Sequence, residues 1–252
     1  THFYNHIWYD LYENGFPTYG FDTIIDKQQY QRWFSQQSMP KIPESYATRS
    51  SDKAAHKNPE YLPQAVYDSF SVGTFYAREA IHFIQENQRK EQPFFLWLAF
   101  HEPHAPFNFP LEFAKKYSPD SLPLGQKGPE DDRWVPEMFR NLSEEERRGI
   151  VASYYTSVEY MDKNVGLVVN ALEEMGLMEN TLVIYTSDQG YHLNDHGRFE
   201  KHTMYREAVQ APLIIKGSGL PKDTTSNALI ELIDLAPTIT DLLSISPNSD
   251  WQ

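Results

Sequence analysis

Any chemistry in this chain would come from polar residues gathered in two short stretches. The first is His101-Glu102-Pro103-His104-Ala105-Pro106; the second begins Ser187-Asp188-Gln189-Gly190 and continues through His192, Asp195, His196, Arg198, Lys201 and His202. A carboxylate beside an amide oxygen, as in Asp188 and Gln189, offers hard oxygen ligands suited to calcium or magnesium rather than zinc. Two ligands do not make a metal site, and the same pair also reads as a turn in which Asp188 caps the backbone and Gln189 faces solvent. His101 and His104 can exchange protons near neutral pH, or they can be satisfied by backbone carbonyls beside the two prolines. Lys201 taken alone is an ordinary surface lysine. His196 and Arg198 either contact a ligand or stabilise their own loop.

Both stretches follow apolar runs that predict strands. Phe94-Phe95-Leu96-Trp97-Leu98-Ala99-Phe100 lies between Pro93 and Pro103, which suits a strand buried on both faces at the centre of a parallel sheet. Leu182-Val183-Ile184-Tyr185-Thr186 and Leu213-Ile214-Ile215 read as further strands. In an open α/β sheet the ligand crevice lies outside the carboxyl ends of the strands, so parallel strands would bring the two stretches to one edge.

The intervening segments predict helices. Val72, Phe75, Tyr76, Ala80, Phe83 and Ile84 keep helical spacing between Ser71 and Gln88. Ser143 with Glu146 forms a capping box, after which apolar residues recur from Ile150 to Leu172 before Gly176 stops the helix. A last helix is expected near Ile230 to Leu243. Residues 1–70 keep no period and read as irregular substrate-side loops, while Pro106 to Asn141, with the acidic run Glu130-Asp131-Asp132, reads as a surface excursion whose charges are solvated. The alternation predicts an α/β fold with a mainly parallel central sheet and helices on both faces, in a single domain over 1–252 whose core is 71–252.

Composition narrows the function classes. The formal charge is 22 − 35 = −13, a far field that repels phosphates and argues against nucleic-acid binding. There is no cysteine, hence no disulfide framework and no thiolate metal site. No apolar run approaches the roughly 20 residues of a membrane span. The chain opens at Thr1 without a Met, and both ends read as truncations.

Three ordered motifs resemble the type I sulfatases of the alkaline phosphatase-like superfamily. Ser187-Asp188-Gln189-Gly190, followed by His196-Gly197, Lys201 and Ala211-Pro212-Leu213-Ile214-Ile215, is similar to the family's S-D-[NHQ]-G, H-G, lysine and P-L-[IV] series. Pro93-Phe94-Phe95-Leu96 leading to His101-Glu102-Pro103-His104-Ala105-Pro106 resembles its P-F-F-L strand and H-x-P-H-x-P loop. Glu231-Leu232-Ile233-Asp234-Leu235-Ala236-Pro237-Thr238 resembles its E-x-x-D-x-x-P-T helix, and Thr1-His2 resembles the tail of its G-K-x-H. Together they cover roughly Pro93 to Leu243.

The resemblance implies hydrolysis of sulfate monoesters by a formylglycine made from Cys or Ser in a C/S-x-P-x-R motif. That motif is absent here; Ser38-Met39-Pro40-Lys41-Ile42 lacks the Arg and falls on the wrong side of His2. The expectation is therefore that an N-terminal segment supplies the nucleophile and that the chain alone is inactive. Asp188 and Gln189 are implied as ligands of Ca2+, with Mg2+ as the alternative. His104 and Lys201 are implied on the sulfate oxygens, one of them protonating the leaving alcohol, and His2 as the base that expels sulfate. His101, His196 and Arg198 are second-rank substrate contacts. The substrate is a small-molecule or polysaccharide sulfate ester, with sulfated carbohydrate favoured by the many aromatic residues. The family's setting is periplasmic, secreted or lysosomal. Phosphodiester or phosphonate hydrolysis on the same scaffold, or a non-catalytic sulfoglycan-binding relative, are the alternatives.

Overall fold

The computed structural model describes residues 21–49 and 57–246, together with the backbone of His2–Phe3. Its strands are β1 (His2–Phe3), β2 (Ile24–Ile25), β3 (Trp97–Leu98), β4 (Val183–Thr186), β5 (His192–Leu193), β6 (Phe199–Glu200) and β7 (Leu213–Lys216). Its α-helices are α1 (Lys27–Ser35), α2 (Val72–Asn87), α3 (Glu137–Arg140), α4 (Glu144–Glu174), α5 (Arg206–Val209) and α6 (Leu235–Leu242). The chain divides into two compact units, one of residues 1–178 with 192–200 and one of 179–191 with 201–252.

In the first unit α4 is specified at both ends. Ser143 accepts from the Glu146 amide while the Glu146 side chain returns to the Ser143 amide, which satisfies two amides that a helix start leaves without partners. At the other end Gly176 takes φ +69°. Its amide bonds the Glu173 carbonyl and the Leu177 amide bonds Leu172, the paired closure that a left-handed glycine permits. Between the caps, Ile150, Val151, Tyr160, Met161, Val168 and Leu172 are buried.

Helix α4 packs on α2, whose Tyr76, Ala77, Ala80 and Ile84 are fully buried. The start of α2 is closed by its neighbour rather than by its own cap residue: the Tyr160 hydroxyl accepts from the Thr74 amide at 3.1 Å and meets Ser71 Oγ at 2.6 Å. A free amide at a helix start is thus satisfied across the α2–α4 contact. Around it, Lys163 bridges Asp68 at 2.7 Å and Thr74 at 3.0 Å.

Helix α1 forms within the stretch expected to be irregular. Asp26 accepts from the Gln28 and Gln29 amides and Gln29 returns to Asp26, a complete capping box. Tyr30 then meets Phe75 edge-on and Trp33 meets it at a tilt, with ring centroids 5.6 and 5.1 Å apart.

The sheet differs from the expectation of one mainly parallel layer. β2, β1 and β3 are parallel in that order, with His2 opposite both Ile24 and Trp97. β4 pairs instead with β7, antiparallel, from Val183↔Lys216 to Thr186↔Leu213, and β5 pairs antiparallel with β6. The run 94–100 places only Trp97–Leu98 in a ladder, and Phe95 and Trp97 are 58% and 52% exposed rather than buried on both faces. An unbroken apolar run states that a segment wants burial, but not which strand will pair with it. The last helix is shorter than expected, with a 3-10 turn at Leu232–Asp234 leading into α6. No helix among the described residues is long and apolar enough to cross a membrane.

Candidate active site

The loop after β3 is built from two consecutive turns. The His104 amide bonds the His101 carbonyl at 2.8 Å and the Phe107 amide bonds His104 at 3.2 Å; the Glu102–Pro103 and Ala105–Pro106 bonds are cis. Phe107 is fully buried against Tyr154, and Arg49 donates to the Pro106 carbonyl at 2.7 Å. These contacts hold the loop while the two imidazoles face each other at 4.9 Å. His104 Nδ1 lies 2.7 Å from the Ala105 carbonyl. A carbonyl only accepts, so Nδ1 carries the proton of the neutral ring and Nε2 is its basic nitrogen.

Glu102, between the two histidines, is the residue that the motif left unexplained. Its carboxyl is 5% exposed, and Oε2 has no hydrogen-bond partner among the described residues. Burial pushes its pKa up to about 7. Burial and the nearby Glu102 charge in turn push the Tyr30 hydroxyl up to about 12 and raise Tyr160.

In the second unit, β4 delivers Ser187-Asp188-Gln189-Gly190 to a turn. Ser187 Oγ donates to the Gln189 carbonyl at 3.0 Å, and Gln189 Nε2 donates to Asp188 Oδ2 at 3.2 Å. The carboxylate and the amide therefore lie side by side, with Asp188 exposed. Gly190 is required here: its amide bonds the Ala208 carbonyl at 2.9 Å, and any Cβ would overlap the Glu207 carbonyl of α5. Lys201 belongs to the same unit, and its ammonium meets no carboxylate among the described residues. Asp188 and Gln189 have the oxygen chemistry that calcium accepts, although no group of three or more acidic or imidazole ligands occurs among the described residues. The pair fits the ion in kind, as two of the roughly six to eight oxygen donors that calcium takes.

His196 and Arg198, in the first unit, are held by the distant segment 128–134. His196 Nδ1 is 3.1 Å from Asp131, which also accepts from the Gly128 amide at 2.7 Å. That amide first, and His196 second, hold the Asp131 carboxyl below its usual range. The run Glu130-Asp131-Asp132 is therefore not simply solvated, since Asp131 anchors the loop. Arg198 is 9% exposed, with Nη1 3.4 Å from the Trp134 carbonyl and Nε without a hydrogen-bond partner among the described residues. Glu200, just before Lys201 in sequence, is bound at 2.5 Å by the buried Lys57. The backbone of His2 lies in β1; its side chain falls outside the described residues. Ser38 is exposed in the loop after α1. The structure thus groups His101 with His104 in one unit, and Asp188 with Gln189 and Lys201 in the other.

The motif-bearing turns sit in a chain that the Sulfatase family model matches over residues 1–245. The chain belongs to the sulfatase family. It is 32% identical over 196 residues to an iduronate 2-sulfatase of Mus musculus, covering 69% of this chain and 34% of that protein. It is 40% identical over 100 residues to an N-acetylglucosamine-6-O-sulfatase of Bacteroides thetaiotaomicron, covering 39% and 18%. Among solved structures it resembles the phosphonate monoester hydrolase SpPMH of Silicibacter pomeroyi with a TM-score of 0.71 at 24% identity, covering 94% of this chain and 55% of that one. That likeness establishes an alkaline phosphatase-like fold and no more. The chain spans 34% and 18% of the two curated sulfatases it matches.

Proposed function

We propose that this sulfatase chain is part of an enzyme that hydrolyses the sulfate monoester of a sulfated carbohydrate. The observation that carries the reading is the Ser187-Asp188-Gln189-Gly190 turn, where a carboxylate and an amide lie side by side because Gly190 fits against α5. Family membership and the carbohydrate sulfatases among its relatives support the substrate class.

In this reading Asp188 and Gln189 hold part of a calcium shell, with magnesium as the alternative ion. The ion supplies positive charge to the sulfate oxygens when bound. Lys201, which meets no carboxylate among the described residues, adds fixed charge where charge develops on the reacting anion. His104, with its Nδ1 proton committed to Ala105, presents Nε2 for proton transfer to the leaving alcohol. His2 is the residue that would take a proton from the nucleophile the family makes as formylglycine, for which these 252 residues contain no C/S-x-P-x-R precursor. The family's periplasmic, secreted or lysosomal setting is proposed for this protein as well.

The test is turnover of a sulfated disaccharide and an aryl sulfate by the intact protein, with and without a calcium chelator. Chelation is expected to abolish both activities, and Lys201→Ala to lower kcat/KM about a hundredfold, the roughly 3 kcal/mol carried by one charge aimed at a reacting oxyanion. Turnover of phosphonate esters well above sulfate esters would overturn the sulfate reading.

A further inference from the structure

A cavity of about 680 Å³ in the first unit, apart from His101 and His104 in sequence, is lined among the described residues by Lys127, Arg133, Arg140 and Arg147 and by one carboxylate, Asp132. Ligand pockets commonly occupy about 300–1,000 Å³, so the volume suits a sugar unit. Four cations around one cavity are unusual in a chain whose net charge is −13.

The cations are not equivalent. Lys127 pairs with Asp132 at 2.6 Å and Arg133 pairs with Glu130, both at the exposed rim. Arg147 is different. It donates to the Leu142 carbonyl at 3.2 Å, to Asn194 Oδ1 at 2.6 Å, to the Gly197 carbonyl at 3.2 Å and to the Phe139 carbonyl. All four acceptors are neutral and fix the guanidinium in place; burial holds its pKa below the usual value, and the nearby Glu146 charge offsets part of that shift. Arg140 likewise donates Nε to a neutral group, the Val135 carbonyl, at 2.9 Å, and meets no carboxylate among the described residues. A rigid cation with neutral partners and an exposed one beside it form a site preorganised for an oxyanion.

Two further features point to a carbohydrate. Trp134, next to the rim in sequence, is 64% exposed and carries the Arg133 guanidinium over its ring at 5.9 Å, leaving a broad apolar face on the surface. Asn194 and Gly197, which anchor Arg147, belong to the segment that the sulfatase motif places between Gln189 and Lys201. Gly197, at φ +70°, also admits the Lys127 side chain, which a Cβ would meet at 2.7 Å.

We propose that this pocket is a subsite for a second oxyanion, sulfate or carboxylate, borne by the same glycan whose sulfate ester is cleaved. The inference rests on the sulfate-ester reading above. Arg140 selects substrates that carry a further negative charge.

The experiment compares the intact wild-type protein with Arg140→Gln, Arg140→Lys and Arg133→Gln on three substrates. These are an aryl sulfate, a disaccharide bearing two ester sulfates, and a disaccharide bearing one ester sulfate and a uronate carboxylate. Arg140→Gln is expected to raise KM about tenfold for one or both disaccharides, with kcat unchanged and the aryl sulfate unaffected, and Arg140→Lys to recover part of the loss. The disaccharide that loses affinity identifies the group bound. An equal effect on the aryl sulfate, or no effect on any substrate, overturns the subsite. Calorimetric titration of the disulfated disaccharide in chelator separates the two readings. Binding that weakens about tenfold in Arg140→Gln, in a protein that hydrolyses no sulfate ester once calcium is restored, supports the subsite and sinks the sulfatase reading. Normal hydrolysis with unchanged binding sinks the subsite alone.

Discussion

Among single residues, Glu102 carries the sharpest consequence. Its pKa of about 7 lies above the ordinary 4.5, because burial disfavours the carboxylate and Oε2 finds no partner among the described residues. The folded state therefore prefers the protonated form. The stability associated with that preference is fully present below about pH 4.5 and is lost as the pH rises through 7. Glu102→Gln, which cannot ionise, should match wild type near pH 4.5 and exceed it by roughly 3 kcal/mol above pH 8. Urea midpoints of both proteins across that range measure the difference, and parallel curves would show that Glu102 ionises without cost. The sequence could not flag this residue, since a glutamate between prolines and histidines has the composition of an exposed loop, and the tyrosines that feel its charge, Tyr30 and Tyr160, are distant in sequence. The candidate residues themselves were legible because their motifs are local. Whether His196 and Arg198 meet a ligand was not, and the contacts to Asp131 and Trp134 favour a role in holding their own loop.

The elements were legible where their causes lie close together along the chain. Helix α4 shows its capping box, its apolar period and its terminal glycine in one stretch, and all three act as expected. Ser143→Ala should lower stability by about 1 kcal/mol, read as a fall in Tm, because it frees an amide that the cap satisfies. Helix α1 is not legible in the sequence although Asp26 and Gln29 spell its cap, because its packing face is made of aromatic residues among many glutamines rather than an aliphatic stripe. Strand pairing was not legible, since the antiparallel β4–β7 ladder depends on partners about 30 residues apart in sequence that periodicity does not name. That ladder still sets the candidate metal turn. Gly190→Ala would drive its Cβ into the Glu207 carbonyl and displace Asp188 and Gln189 without altering either side chain. Calcium affinity of the intact protein should fall at least tenfold in this variant while its far-UV spectrum is retained; unchanged affinity would remove Asp188 and Gln189 from the metal shell.

Across the whole molecule, charge and chemistry are unevenly distributed. Thirty-five acidic residues against 22 basic ones give a surface that repels polyanions at long range, while Lys201 and the Arg140–Arg147 pocket concentrate positive potential locally. Such focusing lets an acidic protein bind an anionic glycan at particular points and not generally. The covalent step imposes a stricter condition. Binding and proton transfer can be assigned to residues on hand, but among these 252 residues there is no cysteine and no C/S-x-P-x-R motif from which the family's nucleophile could be made. Positioned histidines and a lysine stabilise charge and move protons; they do not replace a group that attacks sulfur. A polypeptide of these residues alone, folded and supplied with calcium and an aryl sulfate, is therefore expected to show no turnover above the uncatalysed rate. Adding a polypeptide that carries the family's nucleophile motif should restore activity if it completes the site. Contaminant-free turnover by the 252 residues alone would instead place the nucleophile within them, and would return attention to Ser38, which has the motif's proline two positions on.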